Sequence, residues 1–367
     1  MKELVFKQIE DKNLWNTFVD NSPWGDILQY WQWGEVKKTE GWEPLRYAIF
    51  EADKIILAAQ CLIKEAGLLG KYLYIAHGPV FQSVDDLQKA LPFFVEHLSR
   101  VAKRLSCFTI EIEPKLGYLI DTDKLSKNIE PFVDEKAIQI FYDAGFVYTG
   151  RNMQPKYKLL YDLEKTEQEL LSQMKKNTRY NINYAQKKGV VINRYLPNSN
   201  VISKKLNEFY GLLKEMQARA AGYPIRPFST FAALVAEFKE TNAIEIFEAE
   251  YEKEVIVMNI SERTKHWASS FYAGSNRKHA NVKASYLLRW SSVMAAKDSG
   301  CKVYDFWGII PGSKQHQGYS DNKLSFGGAR IDHIGILALP VNQIRFLIWT
   351  KILPIRNLLY SLFRKSK

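Results

Sequence analysis

The sequence predicts an α/β protein made of two similar domains in tandem. Two observations carry this: short β-rich runs alternate with amphipathic helical stretches along the chain, and the order of runs recurs after about residue 156. A length of 367 residues agrees, because one domain usually takes roughly 100–200. In the first pass, residues 46–50, 55–63 and 72–80 read as strands, 83–104 as a helix and 107–114 as a strand. In the second, strands are expected at 156–161, 243–249, 255–261, 265–272 and 302–309, with a helix at 284–299. Gly145, Gly150 and Pro155 mark the junction by turn chemistry, giving domains at 1–153 and 154–339. Between 201 and 300 short helices and strands use up the residues, leaving no room for a long helical arm.

Composition narrows the function. With 46% hydrophobic and 25% charged residues the chain buries a full core, which excludes a disordered or fibrous protein. Lys and Arg number 51 against 40 Asp and Glu, a net charge of +11 that draws polyanions such as nucleic acid, nucleotides or an acidic membrane. Cys61, Cys107 and Cys301 have neither CxxC spacing nor a neighbouring His pair, so neither a disulfide framework nor a zinc site is readable and a cytoplasmic protein is expected. The opening MKELVFKQIEDK lacks a signal-peptide core, and no apolar run reaches the ~18 residues that a bilayer requires.

Several stretches carry residue types suited to chemistry. In QMKKNTRYNINYAQKKGV, Lys175, Lys176, Arg179, Lys187 and Lys188 interleave with Tyr180 and Tyr184 on a predicted helix, a pattern that neutralises phosphates and stacks bases, as an RNA end requires; a solvated face whose tyrosines cap the core is the alternative. Gln186–Gly189 matches half of a coenzyme A pyrophosphate loop, but Val191 stands where a small residue is needed, which argues against an acyl-CoA enzyme. Tyr30, Trp31, Trp33 and Trp42 surround Lys37 and Lys38, a setting for a nucleotide or sugar phosphate or simply for a core helix. Arg219 and Arg226 bracket a turn at Gly222, where a guanidinium either grips a phosphate or pairs with surface acids. Glu111 and Glu113 share one face of a strand, either for acid–base work or as exposed-edge residues. The six histidines show neither HExxH nor paired spacing, and satisfied or surface positions are expected; GxSxG and P-loop patterns are missing too. Lys323 comes after a Gly-rich loop, and spacing alone makes it a surface lysine entering a strand.

Taken together, LQYWQWGEVKK, the block from QPKYKLLYDL to QKKGVVI, YLLRWSSVMAAKDSGCKVYDFWGI and NKLSFGG resemble the Fem family (FemABX) of nonribosomal peptidyltransferases, which add amino acids from aminoacyl-tRNA to peptidoglycan precursors. The resemblance implies tandem GNAT-type domains, each a mixed sheet flanked by helices, with the tail 340–367 packing back on the first domain and no coiled-coil arm. The family's Trp-Gly-x-x-Lys lysine, which holds the precursor's diphosphate, falls on Lys37 and its partner arginine on Arg226, with Tyr223 in place of the family's Phe; Tyr272 joins them as substrate-binding. Its Asp-Pro acid becomes Glu113, and the lysine of Phe-Lys-x-x-Phe-Gly, which stabilises the transition state, becomes Lys323.

The implied chemistry is ester aminolysis on a UDP-linked or lipid-linked muropeptide by a monomeric, cofactor-free enzyme. A fixed Lys323 ammonium would stabilise the oxyanion, and Glu113 is the one candidate base, since neutralising an amine of pKa ~10.4 at pH 7 costs about 4–5 kcal/mol. The rival readings are a GNAT-like acyltransferase acting on polysaccharide or lipid from an acyl-CoA donor, and a non-catalytic tRNA-binding module. Residues 341–367 combine Arg345, Lys351, Arg356, Arg364, Lys365 and Lys367 with large apolar side chains and no acid, a composition that docks on an anionic leaflet at the inner membrane face unless its apolar side packs on the first domain.

Overall fold

The computed structural model describes residues 3–219, 224–312 and 317–353. The first half runs β1 (Leu4–Gln8), α1 (Lys12–Asn21), α2 (Trp31–Lys38), β2 (Glu43–Glu51), β3 (Lys54–Glu65), β4 (Lys71–Ala76), β5 (Val80–Phe81), α3 (Val84–Arg104), β6 (Cys107–Glu113), β7 (Gly117–Leu119), α4 (Glu135–Asp143) and β8 (Val147–Tyr148). Next come β9 (Tyr157–Asp162), α5 (Glu167–Ser172), α6 (Lys176–Lys187), β10 (Val191–Tyr195), α7 (Ile202–Arg219), α8 (Phe228–Glu237), β11 (Ile244–Tyr251) and β12 (Glu254–Arg263). The chain continues through β13 (Trp267–Ser275), α9 (Ala284–Asp298), β14 (Val303–Asp305), α10 (Gln317–Leu324), β15 (Ala329–His333), β16 (Leu337–Pro340) and α11 (Gln343–Leu347), which a π-helical turn extends over Ile348–Ile352.

One unit occurs twice. Strand β4 runs parallel to β6 with α3 as the crossover, and β13 runs parallel to β14 with α9 as the crossover; parallel neighbours need such a connection. Helix α3 forms because Ser83 caps it, Asp85 and Asp86 face its positive end and Lys103 and Arg104 its negative end. Leu87, Leu91, Phe94, Leu98 and Val101 then line one buried stripe. The remaining pairs are antiparallel and build two mixed sheets, ordered β1-β2-β3-β4-β6-β16-β8 with β5 on β3, and β10-β11-β12-β13-β14-β9-β15-β7. Two short strands cross over between halves: β7 joins the later sheet and β16 the earlier one.

Three expectations need correction. The strand expected at 302–309 is continuous only over Val303–Asp305, with an isolated bridge from Ile309 to Tyr157 beyond it, because the Trp307 amide turns back onto the Asp305 carboxylate and Trp307 takes a φ of 60°. The run 72–80 breaks at His77, whose φ is 47°. In 201–300 the structure has one 18-residue helix, α7, lying on β12 and β13 through Leu206, Phe209, Leu212 and Leu213. Among the described residues no helical arm projects from the body, and no helix is long and apolar enough to cross a membrane.

The halves share a core. Trp33 of α2 packs on Phe271 of β13, Tyr30 faces Phe238, and α2 lies against α8. That contact brings residues from opposite halves of the sequence into one pocket.

Candidate active site

Lys37 stands in the last turn of α2, and Arg226 precedes α8, whose N-cap is Pro227. Both reach one carboxylate. Arg226 Nη1 donates to Glu40 at 2.7 and 2.8 Å, the Thr230 hydroxyl donates at 3.2 Å, and Lys37 Nζ pairs with the same group. The Tyr272 hydroxyl bonds to Arg226. Trp33 and Trp42 face the Lys37 ammonium at 5.7 and 5.4 Å from their ring centroids, so this cation sits in an aromatic cage. Burial and the nearby Arg226 charge bring the Lys37 pKa down to about 8. Thr39, Pro224, Ile225 and Pro227 border an open recess beside the cluster. The Gly222 turn and Tyr223 lie outside the described residues.

Lys323 belongs to the last turn of α10 rather than to a strand entrance, and it is 1% exposed. Its Nζ donates to the Gly308 carbonyl at 2.8 Å and bonds the Tyr319 hydroxyl. The residues just after α10 fix this turn: Phe326 is buried between Phe306 and Tyr286, and Gly327 adopts a φ of 82° where a Cβ would lie 2.3 Å from the Gln173 carbonyl oxygen. Burial and the Arg289 guanidinium hold the Lys323 pKa well below the lysine range.

Glu111 and Glu113 are interior, since β6 lies between β4 and β16. Glu111 pairs with Arg151 and accepts from the Trp349 indole at 2.8 Å. Glu113 accepts from the Tyr74 hydroxyl at 2.5 Å and from the amides of Met153 and Gln154 at 3.0–3.2 Å. Burial lifts its pKa to about 7 against the pull of Tyr74 and those amides. Pro155 then packs on Gly308, where a Cβ would come within 2.7 Å, so the segment that holds Glu113 meets, across the seam between the sheets, the residue whose carbonyl accepts from Lys323.

Deeper in the seam lies a set of buried charges. Asp26 meets His77 Nδ1 at 3.0 Å and Lys115 Nζ at 3.2 Å, while Lys158 Nζ lies 2.9 Å from Asp305. Burial would raise the Asp26 pKa, but His77 and Lys115 outweigh it and hold the carboxylate ionised. His77 and His333 are buried, with pKa values lowered by desolvation, so two of the histidines expected to be satisfied or at the surface line an ionic layer instead.

On α6, Thr178, Ile182 and Ala185 face the core, while Lys175, Lys176, Lys187 and Lys188 are exposed. Tyr180 is 63% exposed and stacks on Tyr184 at 5.8 Å, so it does not cap the core. Arg179 behaves differently from its basic neighbours. It donates to the Leu171 and Met174 carbonyls and so closes the C-terminal end of α5. Gln186–Gly189 is the carbonyl end of α6, with the Lys188 and Gly189 amides bonded to Tyr184 and Gln186, and this polarity repels a pyrophosphate.

The FemAB family model matches residues 11–263 and 242–352, nearly the whole described chain. The chain belongs to the FemAB family. Among curated FemAB relatives, the proteins named lipid II:glycine glycyltransferase from Staphylococcus saprophyticus and Staphylococcus haemolyticus are 29% and 25% identical, over 49% and 69% of this chain and 41% and 57% of their own. This FemAB chain thus spans about half the length of the curated relatives it matches. Two solved structures share its fold. FemX has a TM-score of 0.79 at 18% identity, covering 94% of this chain and 99% of its own, and a tandem GNAT protein from the clavulanic acid biosynthesis pathway has 0.53 at 7%, covering 92% and 99%.

In this FemAB protein the structure brings Lys37, Arg226 and Tyr272 together, sets Lys323 and Glu113 along one seam, and keeps the α6 lysines on an outer face. Glu40 and Tyr74 escaped sequence reasoning. Glu40 does stand three residues after Lys37, a spacing that puts a carboxylate within reach of the lysine.

Proposed function

We propose that this FemAB protein moves an amino acid from aminoacyl-tRNA to the stem peptide of a peptidoglycan precursor. The observation that carries the reading is the convergence of Lys37, Arg226 and Tyr272 in a cationic, aromatic-lined pocket in the same molecule as the Lys323 seam. The pocket suits a diphosphate, which Arg grips bidentately, and the name of the relatives makes lipid II the leading acceptor.

In the proposed reaction an amine on the stem peptide attacks the ester carbonyl of the aminoacyl-tRNA. A C–N bond forms, the C–O ester bond breaks, the amine gives up one proton and the departing ribose oxygen takes one. Glu113, with a pKa near 7, is the proposed proton acceptor. Lys323 is the proposed oxyanion donor, and a buried amine gains most from its charge as the oxyanion develops, so its contribution falls in the transition state.

For the donor, the exposed lysines of α6 and the Tyr180–Tyr184 stack match the needs of a tRNA end. For a lipid-linked acceptor, Ile344, Leu347 and Ile352 are exposed beside Arg345 and Lys351, and Leu68 is fully exposed on the turn that ends at Gly70, next to Arg345. This patch fits an anionic membrane surface; residues 354–367 of the expected docking tail lie outside the described residues. The test incubates the purified protein with charged tRNA and lipid-linked or UDP-linked precursor. A precursor gaining one aminoacyl mass as free tRNA appears supports the reading. Transfer from an acyl-CoA instead, or tRNA binding with no transfer to either precursor, overturns it.

A further inference from the structure

Glu40 occupies the centre of the proposed phosphate pocket. Lys37, Arg226 and Thr230 all direct their donors at its two oxygens, and its side chain is only 15% exposed. We infer that Glu40 is an internal counter-ion that holds the diphosphate position in the free enzyme and must leave when the precursor arrives. The inference rests on reading this pocket as the phosphate site.

Three features support displacement over a permanent pair. The cluster borders an open recess where the Arg226 side chain is 38% exposed, so an incoming anion reaches the guanidinium while Glu40 still holds the pocket. Glu40 lies in the turn after α2, next to Gly41, which has a φ of 78° and nothing within 4 Å of where a Cβ would stand, leaving room for the side chain to swing out. The cations outnumber the acid, because Lys64 Nζ also reaches this turn and donates to the Glu40 carbonyl at 3.1 Å.

The arrangement has a consequence for selectivity. With Glu40 gone, the buried Lys37 ammonium and the part-exposed Arg226 guanidinium would face each other uncompensated, so the free pocket needs an anion. A ligand with a single negative charge merely replaces one anion by another. A diphosphate brings at least two charges and neutralises what Glu40 leaves uncompensated. Glu40 therefore sets a charge threshold, favouring multiply charged phosphates over singly charged anions, at the cost of absolute affinity.

Calorimetric titration of wild type, Glu40→Gln, Glu40→Asp, Lys37→Ala and Arg226→Ala with inorganic pyrophosphate and with inorganic phosphate, at a pH below the second ionisation of phosphate so that it is mainly a monoanion, tests this. Glu40→Gln is expected to bind pyrophosphate about tenfold tighter, since a like charge next to the ligand is removed, and to prefer it less over phosphate. Glu40→Asp keeps the charge on a shorter arm and should fall between the two, which keeps the test open if the Gln variant fails to fold. Unchanged or weaker pyrophosphate binding in both Glu40 variants, with Lys37→Ala and Arg226→Ala still impaired, overturns the counter-ion role. Unimpaired binding in Lys37→Ala and Arg226→Ala overturns the phosphate reading of the pocket itself.

Discussion

Lys323 touches almost no water, and that isolation decides what its loss should do. Lys323→Met keeps much of the volume but removes the donor, so the turnover number should fall by roughly 10²–10³ while precursor affinity changes little. Steady-state transfer with titrated precursor measures both, and an equal loss in affinity would mean that Lys323 acts in binding. Glu113 gives a pH signature. Its pKa rises from 4.5 to about 7 on folding, so the folded state favours the protonated form; the associated stabilisation is complete below pH 4.5 and is lost as pH rises through 7. At roughly 1.4 kcal/mol per unit the effect is about 3 kcal/mol. Denaturant unfolding at pH 4.5 and 7.5 should show Glu113→Gln less sensitive to pH than wild type by that order, and parallel profiles would remove the burial argument. Lys37, Arg226 and Lys323 stand out in the sequence only through the motifs of the resemblance, and spacing alone put Lys323 at the surface where the structure buries it. Glu40 was not legible as part of the pocket, because its link to Arg226 spans 186 residues and exists only once α2 and α8 have docked.

Helix α6 separates two kinds of basic residue that look alike in sequence. Arg179 closes the carbonyl end of α5, whereas Tyr180 faces solvent and has nothing in the core to hold. Arg179→Ala should lower the melting temperature by a few degrees, consistent with losing about 1 kcal/mol of capping. Tyr180→Ala should leave the melting temperature unchanged and weaken tRNA binding by about 1–3 kcal/mol, the scale of one stacked base. Calorimetric melting and filter binding separate the two, and a reversed pattern would move the RNA contact elsewhere. At the other end of the chain, Ile344→Glu combined with Leu347→Glu should abolish co-sedimentation with anionic vesicles at low salt. Recovery equal to wild type would take α11 out of any membrane contact. The helices α3, α6 and α9 were readable from their amphipathic pattern, and α3 also from its Ser83 cap. Strand β14 was not, because Asp305 and Trp307 bend a run whose composition is that of a longer strand.

The whole molecule is held by a shared apolar core, by the buried charges around Asp26 and Lys158, and by the exchange of β7 and β16. Unfolding monitored by tryptophan fluorescence and by far-UV circular dichroism should therefore give one coincident transition, where two independent sheets would give two. Separated midpoints would show that the exchange does not couple the halves. The repeated β–α–β unit was legible because alternation over long segments marks it. The exchanged strands were not, since three or four residues carry no usable period. Strand order also bears on synthesis. The apolar edge of β6 waits for β16, and β7 waits for β15, so neither sheet can be finished until residues 329–340 have left the ribosome. During that interval the nascent chain carries an open strand edge of high β-propensity. The cell must shield that edge until the strands of residues 329–340 have been made.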